Sequence, residues 1–185
     1  MKITICGIPE LGQHCEAGVT HVLSILDPGW PDPEAFADFP AHRRVGLRFN
    51  DVVGDMPGEV APTAEDVALL LEFGREVMTA GPDAHLLIHC HAGISRSTAS
   101  AALLLAQADP ARPAAAIFAE IAAQRPRAWP NLLLLEFGER ALGRVGEIVP
   151  AVAAQYRRVL AADPQFGKFL IENGRGREVA LAESD

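Results

Sequence analysis

Four short apolar runs, at 3–8, 22–26, 45–49 and 84–89, are rich in branched residues, bounded by Gly, Pro or Asp, and too short to be helices. Between them lie stretches with helical periodicity. Strands separated in this way cannot close into tight hairpins; they pair in parallel through crossovers, and both faces of such a sheet need cover. The alternation therefore predicts an α/β fold: a central, mainly parallel sheet of four to five strands flanked by helices.

The helical segments carry their own signals. Thr63 followed by Asp66 three positions on reads as a helix start, and Val67, Leu70, Leu71, Val77 and Met78 then recur at helical spacing to about Ala80. A turn at Gly81-Pro82-Asp83 leads into the fourth strand. Residues 96–108 are Ala- and Leu-rich without β-branched runs, which predicts a largely buried helix. Further helices are expected from Pro113 to Arg125, over 132–142, near 151–161 and, more briefly, around 11–17. The stretch 27–41 holds four prolines and reads as a surface loop. We expect one domain over 1–162, with 163–185 as a Gly- and charge-rich tail, packed in part or flexible.

Composition narrows the function. A formal net charge of −8 disfavours a broad hold on nucleic acid or an anionic membrane, so any recognition of phosphate must be local. No apolar run approaches the roughly 20 residues that span a bilayer, and residues 1–9 lack the apolar stretch of a signal peptide, which predicts a cytoplasmic protein. The cysteines Cys6, Cys15 and Cys90 are odd in number, which favours free thiols over a disulfide framework.

Residues 86–97, Leu-Leu-Ile-His-Cys-His-Ala-Gly-Ile-Ser-Arg-Ser, concentrate the chemistry. A strand delivers Cys90, five residues turn, and a helix begins at Arg96. In such a turn the N–H groups of His91, Ala92, Gly93, Ile94, Ser95 and Arg96 can converge on one point, where the helix amino terminus adds positive potential. That is an oxyanion cradle, and the same field stabilises a thiolate at Cys90. Gly93 permits the backbone conformations that the turn demands. The planar fork of Arg96 matches two phosphoryl oxygens, and Ser97 can hydrogen-bond the Cys90 sulfur, easing its departure from a covalent intermediate.

His89-Cys90-x5-Arg96-Ser97, with Gly93 inside the loop, resembles the signature of the protein tyrosine phosphatase superfamily, and His-Ala-Gly-Ile-Ser-Arg-Ser resembles its dual-specificity branch. Residues 18–24 resemble that family's early strand and Trp129-Pro130-Asn131 its Pro-Asn helix start, so the likeness covers about 15–142. It implies a phosphatase with Cys90 as nucleophile, Arg96 as phosphate clamp, and an aspartic acid some tens of positions upstream as proton donor. Asp51, just after the third strand, fits best. Asp55 is the alternative, and Pro57-Gly58 suit a loop that repositions either one. The likeness also implies that His89 is a buried group whose hydrogen bond orders the loop.

His91, within the loop, is placed to touch substrate. Adjacent strand residues point to opposite faces, so His89, Cys90 and His91 do not form a zinc site, and neither metal nor cofactor is expected. Cys6 and Cys15 read as packing residues, with a resolving thiol for oxidised Cys90 as the other role considered. Trp30 and Trp129 read as packing anchors. The loop contains no Lys, which points away from phosphoinositide or RNA and toward phosphotyrosine, with phosphoserine or phosphothreonine, on a protein or a small phosphomonoester. Two rival readings are a pseudophosphatase that binds phosphate without turnover and a sulfur or arsenate enzyme on a similar loop. The oligomeric state is not readable.

Overall fold

The computed structural model describes residues 2–184. Strands β1 (Lys2–Gly7), β2 (His21–Leu26), β3 (Arg43–Arg48) and β4 (His85–Cys90) form one sheet in the order β1-β4-β2-β3. Every pairing in it is parallel. β2 and β4 lie inside the sheet and are buried at each position, which is why their sequences run apolar rather than alternating. β3 is an edge strand and carries Arg43, Arg44 and Arg48, charges that discourage pairing with another chain.

Among the described residues seven α-helices accompany the strands: α1 (Ala64–Thr79), α2 (Arg96–Ala108), α3 (Ala114–Gln124), α4 (Leu132–Ala141), α5 (Ile148–Ala162), α6 (Pro164–Glu172) and α7 (Gly176–Glu183). α1 opens with a reciprocal cap: Asp66 N–H donates to Thr63 Oγ1 (3.2 Å) and Thr63 N–H to Asp66 Oδ2 (2.9 Å). α5 starts three residues before the predicted boundary, because Pro150 falls in the first turn, where its missing N–H costs no bond.

The two faces of the sheet are covered unequally. On one, Ile3, Ile5, Leu23, Ile25, Leu86 and Ile88 meet the α-helices in a single large core. On the other, Cys6, Val22 and Leu87 meet Leu11, Val19 and Phe39 beneath two short 3-10 helices, Ile8–His14 and Glu34–Asp38. The first of these replaces the helix expected over 11–17. Pro9 fixes the backbone and lacks an N–H, so β1 ends at Gly7 and the chain tightens at once.

The stretch expected as a tail forms α6 and α7. Asp163 caps α6, its side chain accepting from Phe166 N–H, and Pro164 takes the first helical position. That combination is a legible start signal, and Phe166, Phe169 and Leu170 supply helical spacing behind it.

Parallel strands bring all their carboxyl ends to one edge. The chain passes from β1 to β2 and leaves between them the place that β4 fills, so the loops after β1 and β2 part around the end of β4. Crevices at such points are where open α/β sheets bind ligands. Cys90 is the last residue of β4.

Candidate active site

From Cys90 the chain turns through His91–Ser95 into α2. The outward carbonyls of this loop are all taken. His91 O accepts from Ile8 N–H (2.9 Å), Ala92 O and Gly93 O from the Arg125 guanidinium (both 3.0 Å), Ile94 O from Trp129 N–H (2.9 Å), and Ser95 O from Ala99 N–H (3.0 Å). No protein acceptor takes the amides of 91–95 among the described residues. Carbonyls tied outward leave amides free inward, which is what an anion-binding turn requires. Arg125 is itself paired with Glu10 (2.8 Å), and Glu10 also accepts from Gly7 N–H (2.6 Å). Gly93 has φ +69°, and a Cβ there would stand 2.5 Å from the Cys6 carbonyl carbon, so both conformation and space demand glycine.

Cys90 Sγ and Ser97 Oγ lie 3.2 Å apart. The Arg96 side chain is 4% exposed, and its Nη1 donates to Asp27 Oδ1 and to Phe49 O (both 2.6 Å), which locks the guanidinium against the ends of β2 and β3. Its Nε is buried and has no protein partner among the described residues. A donor left unpaired beside a loop of free amides and a thiol is arranged for an incoming oxyanion.

Asp51 lines the same pocket. Its Oδ1 accepts from Ser95 Oγ (2.7 Å) and Asn131 Nδ2 (2.9 Å), and its Oδ2 from Arg175 Nη1 (3.0 Å). Burial alone would raise its pKa, but the charges of Arg175 and Arg96 and the hydrogen bonds from Asn131 and Ser95 outweigh it and hold the carboxyl below its ordinary value. Asp55 is exposed and lies outside the pocket lining. Asn131 also caps α4, its side-chain oxygen accepting from Leu134 N–H (3.0 Å).

Arg175 escapes the sequence reading because its neighbourhood, Asn-Gly-Arg-Gly-Arg-Glu, looks solvated. It is 8% exposed. Its Nη2 reaches Ser95 Oγ (2.9 Å), and its Nε and Nη2 donate to Glu178 (2.7 and 2.8 Å). Glu178, fully buried, also accepts from Trp129 Nε1 (2.7 Å) and Leu132 N–H (3.0 Å). The Arg-x-x-Glu spacing on a helix start was the one available clue. Asp27 likewise goes unread, since only the return of β2 to the site reveals it.

His91 Nε2 accepts from Asp27 N–H (3.3 Å) while the Trp30 ring meets its edge at 4.5 Å; burial pushes its pKa down. Trp30 is half-exposed, its ring against His91, rather than a packing anchor, whereas Trp129 is fully buried. His89 is buried, and among the described residues neither ring nitrogen meets a partner at normal hydrogen-bond geometry; the loop contact it has is a weak one to the Cys90 backbone. Desolvation lowers its pKa to about 4. Cys6 packs on the face of the sheet opposite Cys90, a placement that rules out a direct disulfide between them. Cys15 Sγ donates to Gly12 O (3.2 Å).

The pocket encloses about 190 Å³. Opposite the loop its wall is aromatic and apolar: Trp129, Phe166, Phe169 and Leu170. Tyr156 and Trp129 stack at 4.2 Å, Phe166 meets Trp129 edge-on at 5.5 Å, and Phe169 lies parallel to Phe166 at 6.2 Å. A larger cavity of about 490 Å³ between α3 and α5 is lined mainly by alanines and contains no nucleophile. Among the described residues no cluster of His, Cys, Asp and Glu is arranged to hold a metal ion, and no helix is long and apolar enough to cross a membrane.

No protein-family model and no curated protein matches the chain. Solved structures do. Human DUSP28 is 18% identical, with a TM-score of 0.57 over 76% of this chain and 88% of that one. A human tyrosine phosphatase-like serine/threonine/tyrosine-interacting protein is 22% identical, with a TM-score of 0.52 over 73% and 82%. PTPMT1 in complex with PI(5)P is 19% identical, with a TM-score of 0.51 over 78% and 95%. The fold is that of the dual-specificity phosphatases, a four-stranded parallel sheet with flanking helices.

Proposed function

We propose that the chain is a cysteine-dependent phosphomonoesterase that acts through a phosphocysteine intermediate on aryl phosphates such as phosphotyrosine. One observation carries this reading: the Cys90 thiol lies beside a turn whose carbonyls are tied outward and an arginine whose Nε has no protein partner. Arg96 and the amides of 91–95 bind the phosphoryl oxygens. The Cys90 thiolate attacks phosphorus, the ester P–O bond breaks, and Asp51, when protonated, gives its proton to the departing oxygen. Water then attacks the phosphocysteine, Asp51 recovers the proton, and the sulfur leaves as thiolate with Ser97 Oγ–H hydrogen-bonded to it. Charge on the equatorial oxygens is met by Arg96 throughout.

The aromatic wall favours an aryl ester, since a substrate ring can continue the series that ends at Phe169. Residues 1–162 contain the nucleophile, the loop and the acid, and α6 together with Arg175, just ahead of α7, completes the pocket wall.

Hydrolysis of phenyl phosphate, inhibited by vanadate and insensitive to chelators, tests the proposal. Cys90→Ser is expected to abolish turnover while retaining tungstate binding, and Arg96→Lys to cost about 10²–10³ in rate. Activity that survives Cys90→Ser would remove the mechanism. The lowered pKa of Asp51, held as a carboxylate by Arg175 and Arg96, favours a second reading, a phosphate-binding module without turnover. Tungstate binding with no phosphate release at any pH from acid to neutral would select it.

A further inference from the structure

We propose that Arg175 is a positioning residue for this reaction: it fixes the Asp51 carboxyl and the Ser95 hydroxyl against the pocket wall and sets the pH range over which Asp51 can give up its proton. The inference rests on the phosphatase reading and deepens it.

The geometry leaves Arg175 little freedom. Two of its bonds run to Glu178, one to Asp51 and one to Ser95. Glu178 is in turn fixed by Trp129 and by the first turn of α4, so the guanidinium is held from behind by two elements outside the phosphate loop. Asp51 faces charge from several directions: Arg96 at the start of α2, Arg175 at the entry to α7, and His91 in the loop, with Glu178 and Tyr156 beyond Arg175. Among the described residues only Arg175 bonds Oδ2. The partners of Oδ1, Ser95 and Asn131, are neutral and do not titrate.

The sign of the effect follows. A cation 3.0 Å from Oδ2 favours the carboxylate. Removing it lets the acid form persist to higher pH, so the basic limb of the pH profile moves up. A salt bridge that merely ties α7 down would alter stability and leave that limb alone.

Arg175→Met by itself strands Glu178 without its cation, so the double variant Arg175→Met/Glu178→Gln is the better probe. For kcat/KM with phenyl phosphate, whose poor leaving group needs the proton, the basic limb is expected to rise by on the order of one pH unit in the double variant. A folded double variant with an unmoved limb would overturn the proposal. If the double variant does not fold, Arg175→Lys decides: the charge stays but the fork is lost, so kcat falls severalfold with the limb in place, and an unchanged kcat would overturn the role. Failure of the wild type to hydrolyse phenyl phosphate would instead defeat the phosphatase reading. The Asp51 carboxyl titration, followed by carbon NMR in wild type and variant, then reads the coupling alone; coincident midpoints would defeat that as well.

Discussion

At the scale of single residues, His89 gives the clearest link between burial and solution behaviour. Its folded pKa of about 4 lies below the ordinary 6.5, because desolvation penalises the charged ring and only the Cys90 backbone works the other way. Between those values the unfolded chain binds a proton that the folded chain refuses. Stability is therefore fully present above pH 6.5 and declines as pH falls toward 4, by about 3 kcal/mol from this one group. Urea unfolding of wild type and His89→Asn across that range measures it: the wild type should show the steeper decline, and parallel curves would show that His89 is not its source. Residue roles differed in how far the sequence exposed them. Cys90, Arg96 and Ser97 sit within one local motif whose spacing already implies their meeting. Asp27 and Arg175 come to the site from positions 63 residues before and 85 after Cys90, and no local motif ties either of them to the thiol.

Among the elements, strands and long helices were readable because each carries a period, a cap or a breaker. The capping box at Thr63 and the proline after β1 both act within a few residues of where they sit. α6 was harder. Its start signal at Asp163-Pro164 was present, but glycines and charges just beyond it suggested a solvated end, and only tertiary packing shows its apolar side meeting Trp129. This helix makes a prediction of its own. Phe169 is 56% exposed, so Phe169→Ala should leave stability almost unchanged. It should raise KM for phenyl phosphate by about 5- to 10-fold, the equivalent of one lost ring contact, with inhibition by inorganic phosphate unaltered. Equal weakening of both ligands would mean that α6 shapes the loop rather than the ring site.

For the molecule as a whole, the α/β class followed from alternation, while the strand order and the uneven cover of the two faces did not. Order depends on which apolar faces find each other across long separations, and a single chain's periodicity does not record that. The sheet that results divides the cysteines: Cys90 on the helical side, Cys6 beneath the 3-10 helices. Peroxide would convert the Cys90 thiolate to a sulfenic acid, and the backbone of the sheet then stands between that sulfur and Cys6. Cys15 packs against the same cluster as Cys6, so the protein lacks a direct internal disulfide with either as a safeguard for its own nucleophile, and rescue falls to an outside thiol such as glutathione. Mass spectrometry after brief peroxide treatment should find a glutathione adduct at Cys90 when glutathione is present, and no Cys6–Cys90 crosslink in either case.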